Sequence, residues 1–428
     1  MLQLGILLIA LFSTSLSQAS ELSGQLKTTV DSYPYHLGKV TEDLTPYLSF
    51  DLGQKHRLSR TWRTQWRVLA LGNLAADGPP ENLYADLPEA FVEWKQPDVR
   101  VRLGLNTLNW GVVDIMSPSD TVNTSAMFHP LRSFKQGAPM LETVLGPEAF
   151  NLDLIYIPVQ RRPLLPSKNS RWLPRKFLLN VDPAILRVAL PKTIEYGYSR
   201  PETLDHALNH NYGGKLAAHF GSLDLQLTHF EVASTMAKIR PTIDLVFDTV
   251  NGEWLAQTPI SLAPVTYRVR TTGFGFVKAQ ERWILRGESA YAHTLSKDAL
   301  LQPWSWASVL AVETNVEVGA RTLTLLAQYF YTRNPQAADN LPSSSYRLFD
   351  QTGMLGGRLA YAESLTLIGS VLYESITHGT FWMVGMEQKL NDHLRFALSW
   401  RDFSAERDGL LKTFERNDHG TLELTYFF

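Results

Sequence analysis

The chain has 428 residues, 44% hydrophobic and 19% charged, with a formal net charge of −2, which allows one large domain or two ordinary ones and offers no basic surface for nucleic acid. It contains no cysteine, so a disulfide frame and a thiolate metal site are excluded, and the chain suits passage through an oxidising compartment. Its 11 Trp, 16 Tyr and 20 Phe suit a surface that holds rings half in water and half in an apolar phase.

At the N-terminus an apolar run from Leu4 to Leu16 leads to Ser17-Gln18-Ala19, which offers small residues at the two positions a signal peptidase reads. The run is shorter than the roughly 20 residues a membrane-crossing helix needs, so residues 1–19 read as a secretory signal and the mature chain starts near Ser20. No Lys or Arg precedes the run, which departs from the usual pattern, and the other reading is a buried N-terminal helix. No later stretch is long and apolar enough for a spanning helix, which excludes a helical membrane protein.

After residue 20 the dominant period is two. Leu394, Phe396, Leu398 and Trp400 alternate with Arg395, Ala397, Ser399 and Arg401, and Leu422, Leu424, Tyr426 and Phe428 alternate with Thr421, Glu423, Thr425 and Phe427. A strand sends successive side chains to opposite faces, so such segments have one apolar and one more polar face. The pattern places strands near 22–33, 44–52, 57–72, 85–96, 99–110 and 148–158. It continues near 211–220, 223–232, 265–280, 283–296, 306–318 and 321–333, then 353–363, 365–378, 379–391, 393–404 and 419–428. With both chain ends on one side, one more strand is required, and residues 138–145 before Gly146-Pro147 are the candidate. The total is about 18 strands (16–20), because a bacterial barrel has an even number.

The connections separate a barrel from a soluble sandwich. Gly221-Ser222, Glu281-Arg282, Gly319-Ala320, Ser364 and Asn391-Asp392 are tight turns. They alternate with long polar loops at about 159–210, 233–264, 297–305, 334–350 and 405–418. Tight turns at one end and long loops at the other mark an outer-membrane barrel. The fold class is therefore all-β, one transmembrane antiparallel barrel over residues 20–428. The C-terminal strand ends on Phe428, the aromatic end that the barrel assembly machinery prefers. The expected partners are that machinery, outer-membrane lipid and small solutes. The oligomeric state is left open.

Two segments stand apart. Arg100-Val-Arg102-Leu-Gly104 runs to Trp110-Gly111 and on through Asp114 and Ser117-Pro118-Ser119-Asp120. Later, Tyr156-Ile-Pro158 opens the Pro-rich stretch that holds Pro163 and Pro166 and leads to Arg171-Trp172. In these residues the chain resembles a Gram-negative family of porin-like outer-membrane proteins of mostly unassigned substrate, similar in style to the alginate-export and phosphate-selective porins. Members carry an Arg-x-Gly strand closing on Trp-Gly, then a loop with an Asp and an Asn-Pro or Ser-Pro turn. The resemblance implies a channel, and it covers residues 100–172 in motif detail. Where relatives have Asn-Pro-x-Asp, this chain has Ser117-Pro118-Ser119-Asp120.

Enzyme motifs are missing: there is no Gly-x-Ser-x-Gly elbow, no His-Glu-x-x-His and no phosphate loop. Gly273-Phe274-Gly275 falls within a strand, where it relieves packing or curvature. His206 and His210 would share a helix face and could hold a metal only if their loop were helical. Ser289 and His293 lie four residues apart on one strand face, too far for a catalytic pair. No catalytic residue, metal or cofactor is expected.

The functional candidates are therefore luminal. Residues 112–137 form a long polar loop without alternation, which can fold inward as a constriction carrying Asp114, Asp120, Arg132 and Lys135, or lie on the outer surface. The pairs Arg63 and Arg67, Arg100 and Arg102, Arg268 and Arg270, and Arg395 and Arg401 sit two, four or six residues apart, so each pair points the same way along its strand. Lipid-facing arginines cost a few kcal/mol each, so all eight are expected to line the pore. There they either favour anions or pair with carboxylates across strands to stiffen the wall. The first reading is a porin-like channel for small polar solutes, with an anion preference. The alternatives are a transporter of hydrophobic compounds and an outer-membrane hydrolase.

Overall fold

A computed structural model describes residues 20–37, 43–76, 82–129, 131–173, 188–189, 195–298, 300–335, 350–407 and 410–428. The signal reading of residues 1–19 lies outside them. Eighteen strands form one antiparallel sheet. The first six are β1 (Ser20–Ser32), β2 (Leu44–Arg57), β3 (Trp62–Asn73), β4 (Tyr84–Gln96), β5 (Val99–Asn106) and β6 (Ala138–Leu145). The next six are β7 (Phe150–Val159), β8 (Asn209–Phe220), β9 (Leu223–Ala233), β10 (Arg268–Gln280), β11 (Trp283–Thr294) and β12 (Trp304–Val318). The last are β13 (Arg321–Arg333), β14 (Thr352–Ala360), β15 (Leu365–Glu374), β16 (Gly379–Lys389), β17 (Leu394–Ala405) and β18 (His419–Phe427). Leu26 of β1 lies opposite Phe50 of β2 and Tyr426 of β18, which closes the sheet into a barrel without edges.

The strand expected at 138–145 is β6, and the tight link between residues 374 and 379 is a turn at the long-loop end. Several boundaries differ from expectation, among them those of β5, β2 and β3. β5 stops at Asn106, because loop side chains take the next backbone donors: Asn123 accepts the Leu108 amide at 2.9 Å and Asp120 that of Trp110 at 3.0 Å. β2 runs on to Arg57, and β3 starts at Trp62, where the Ser59 hydroxyl accepts the Thr61 and Trp62 amides in the turn. The 233–264 connection is not irregular. It carries strands Lys238–Thr242, Leu245–Asp248, Glu253–Ala256 and Ile260–Thr266, since Ile260, Leu262 and Val265 bury themselves in a small sheet of their own. Tyr196–Tyr198 joins that sheet in parallel.

Register divides the wall into two faces. Leu26, Leu48, Leu103, Leu227, Leu310, Leu355, Val384 and Leu422 lie on the outside and are exposed, a band of apolar surface larger than a soluble monomer carries. Trp62 and Trp94 sit opposite each other on this face, and Trp66, Trp400 and Tyr426 share it. A barrel of this size is too wide for wall side chains to fill. The core instead forms where the connection after β5 packs on the inner wall. There Leu108, Trp110 and Val122 meet Met140, Ile155, Ile157 and Phe230, and burying each large side chain contributes about 1.5–3 kcal/mol.

Candidate functional site

The connection of residues 107–137 reaches opposite parts of the inner wall. At one end the Glu288 carboxylate of β11 accepts the amides of Val112 at 2.9 Å and Ser119 at 2.7 Å, and the hydroxyls of Ser117 at 2.5 Å and Ser119 at 2.6 Å. Val113 packs on Val309, Ala311 and Phe330 of β12 and β13. At the other end the Arg132 guanidinium forks onto Asp31 of β1, both contacts at 2.7 Å. Between them, Trp110 Nε1 donates to Asp153 of β7 at 3.2 Å. The glycines at 273 and 275 serve this packing: a Cβ at Gly273 would lie 2.7 Å from Ser119 Cβ, and one at Gly275 3.1 Å from Val112.

The four expected constriction residues divide by role. Lys135 holds the segment together, reaching Asp120 at 2.5 Å and the Leu108 carbonyl at 2.5 Å. Arg132 is the anchor on Asp31. Asp114 stays 73% exposed, 3.8 Å from Arg286, and is the acidic group of the four left facing open space. Glu288 is missing from the sequence-level candidates, since no local period tells which inner carboxylate a remote loop will meet.

Residues 160–173 dock on the same segment. Gln136 Nε2 donates to the Arg162 carbonyl at 2.8 Å, Gln160 Nε2 to that of Val122 at 2.9 Å, and Arg161 pairs with Asp86. Arg171 lies 3.5 Å over the Tyr33 ring. Trp172 packs between His129, with centroids 4.3 Å apart, and Phe403 and Phe414. Burial, then Arg132, hold the His129 imidazole well below its ordinary pKa, so it is neutral.

Asp31, His129 and His419 bring ligand-type atoms within 4.8 Å of one another, but their other contacts oppose a cation. The Arg132 fork takes both Asp31 oxygens. His129 Nδ1 accepts the Leu131 amide at 3.1 Å, which leaves the neutral ring's proton on Nε2 and removes the lone pair a metal needs. His206 and His210 both have positive φ, 51° and 53°, so they share no helix face. The Ser289 hydroxyl is held by Ser308 at 2.9 Å and Trp306 at 2.7 Å, not by His293.

Six of the eight arginines face inward: Arg63, Arg67, Arg100, Arg102, Arg395 and Arg401 share the face of Glu93, Asp51, Glu142, Glu387 and Thr421. Most are paired. Fully buried Glu93 takes Arg63 and Arg102, each at 2.6 Å, and Glu142 takes Arg102 at 3.2 Å and Arg100 at 3.0 Å. Arg67 forks onto Asp51 at 2.8 and 2.6 Å, and Arg395 meets Glu387 at 3.1 Å. Arg401 has no carboxylate in ion-pair reach among the described residues and donates to Thr421 Oγ1 at 2.5 Å.

Arg268 and Arg270 are a correction to the expectation: they lie on the outer face. Their register partners Glu231, Ala233 and His293 are on that face, as is Phe274 of the same strand. Gly273 and Gly275 must face the inward-packed segment, which forces the even-numbered residues of β10 outward. Sequence reasoning missed Arg358, an inward residue of β14 opposite Thr324 and Ile368 that is exposed and has no ion pair among the described residues.

Comparison of the sequence with protein-family models and with curated proteins found no match. Among solved structures the chain is similar to Acinetobacter baumannii OccAB4, at 10% identity over 96% of this chain and 99% of that one, with a TM-score of 0.52. It also matches Pseudomonas aeruginosa OccD3 (OpdP), at 10% identity over 97% of this chain and 92% of that one, with a TM-score of 0.49. A mutant of the Rh. blastica porin matches at 10% identity over 96% of this chain and all of that one (100%), with a TM-score of 0.44. At such identities the OccAB4 likeness speaks to the fold, a closed antiparallel barrel, and the two weaker ones add nothing to it.

Proposed function

We propose that the chain is an outer-membrane channel for small polar solutes, constricted by residues 107–137 and mildly selective for anions. One observation carries the reading: a connecting segment is pinned inside a closed, externally apolar barrel, on Glu288 at one side and Asp31 at the other. Such a wall is stable in lipid, and a pinned inner segment narrows the bore without filling it. Thr324, Arg358, Ser370, Met383, Arg395 and Ser399 of β13 to β17 remain partly or fully exposed on the inner face. That stretch of wall supports a water-filled path.

Charge balance supports the anion preference. The ladder of Arg63, Glu93, Arg102, Glu142 and Arg100 is largely self-neutralised, as cross-strand pairing predicts. Arg358 and Arg401 carry their charge without a carboxylate at contact distance among the described residues, and unpaired arginines in a pore attract anions. In a planar bilayer with a KCl gradient, the reversal potential should show weak anion selectivity. Arg358→Ala with Arg401→Ala should reduce it more than Arg100→Ala with Arg102→Ala. A cation-selective wild-type pore would refute the arginine argument and leave the barrel standing.

A further inference from the structure

Arginine on the outer face of a barrel needs an explanation, because a lipid-facing Arg costs about 2–4 kcal/mol at the bilayer midplane and about 0–1 near the interface. At the end with the long connections, Glu231, Arg268 and Arg270 gather on the outside of neighbouring strands β9 and β10. Register sets Glu231 and Arg270 in a continuous row with Tyr212, His293 and Trp304, lying opposite one another from β8 to β12, while Arg268 lies one row nearer the strand end, opposite Ala233. The next row toward the middle of the wall includes His229, Thr272, Tyr291 and Trp306. Beyond that the face turns apolar, with Leu227 opposite Phe274 and Leu225 opposite Phe276. The arginines therefore sit at the margin of the apolar band, level with Tyr and Trp rings that favour a membrane interface.

The hydrogen bonds show which group is free to take a ligand. Glu231 accepts Arg268 Nη1 at 3.1 Å, Arg270 Nη2 at 2.9 Å and the Tyr212 hydroxyl at 3.2 Å. Arg268 also donates to the carbonyls of His206 and Asn209, so its fork is occupied. Arg270 uses Nε and Nη2 on Glu231, while its Nη1 has no partner among the described residues and its side chain is 48% exposed. The trio keeps one net positive charge, held stiffly and presented outward. Exposed His293 lies directly across from Arg270, and exposed His229 is one row away with Nδ1 held by Thr272 at 2.9 Å.

We propose that this patch binds a phosphate of a phosphorylated outer-leaflet glycolipid. Arg270 is the principal contact, His293 and His229 are flanking donors, and Tyr291 and Trp306 pack against the sugar. A guanidinium with a free edge suits phosphate oxygens, and the position in the rim fits a membrane lipid better than a soluble anion. The inference rests on the outer-membrane reading above and is tested apart from conduction.

The experiment uses the full barrel, refolded and delipidated, then mixed with bis-phosphorylated lipid A or with its dephosphorylated form and analysed by native mass spectrometry. Wild type should retain the phosphorylated lipid. Arg270→Gln should weaken retention about tenfold, the loss of one good contact, while Lys278→Gln at the opposite end of β10 should not change it. Each variant is first shown to keep the unheated gel mobility of a closed barrel. If Arg270→Gln fails that check, the wild-type comparison of the two lipids decides alone. Equal retention of both lipids, or of neither, would overturn the proposal. Displacement of the lipid by millimolar inorganic phosphate would also overturn it, by making this a site for soluble phosphate. A barrel that conducts normally yet retains no phosphorylated lipid refutes this inference alone.

Discussion

Glu288→Ala should raise the single-channel conductance and the open-channel noise. The carboxylate accepts four hydrogen bonds from Val112, Ser117 and Ser119, and bonds to a charged acceptor contribute about 1.5–3 kcal/mol each when they stand alone. Removing all four frees residues 112–119 from β11. The Arg132 anchor on Asp31 and the Trp110 packing remain, so the barrel still forms. Glu288→Gln should give an intermediate result, because its amide oxygen can still accept but its NH2 cannot take the Val112 or Ser119 amide. Conductance traces in 1 M KCl (about 3 Å Debye length, which mutes surface charge) read the effect. Conductance and noise equal to wild type would show that this segment does not narrow the bore.

Arg132→Ala should cause a large loss of stability. Asp31 is fully buried, and without the guanidinium its charge keeps the Thr421 hydroxyl at 2.7 Å as its direct partner among the described residues. Breaking a buried pair by removing one partner costs about 3–5 kcal/mol, whereas removing both charges together costs far less. Asp31→Asn combined with Arg132→Ala should therefore be more stable than Arg132→Ala alone. A denaturant titration of the refolded barrel in micelles, followed by Trp fluorescence, gives the comparison. Equal midpoints for the two variants would mean that the pair is not coupled.

Local periodicity made the barrel legible. Alternation in segments such as Leu394 to Trp400 gave strand and face together, and the rule that both ends lie on one side located β6 in a stretch of weak pattern. The outward rings at Trp62, Trp66, Trp94, Trp400 and Tyr426 follow from the same period.

The pattern of β10 itself puts Arg268 and Arg270 on the outer face, against the expectation that cost alone sends every arginine inward. They share parity with Phe274 and Phe276, opposite Gly273 and Gly275, and a lipid-facing charge costs little near a strand end, where depth sets that cost.

The contacts that define the inner segment were not legible. Ser119 and Glu288 are 169 positions apart, and Arg171 and Asn417 are 246 apart. Such partners are chosen by where the closed wall brings them, and no residue pattern near either one records it.

The most direct test of the central claim is the current through the purified, refolded protein in a planar bilayer. The account predicts discrete, long-lived open steps at low voltage, with a reversal potential on the anion side in a salt gradient. Stable insertion, verified by recovery of the unheated barrel from the same membranes, with no conductance above that of bare lipid would contradict it.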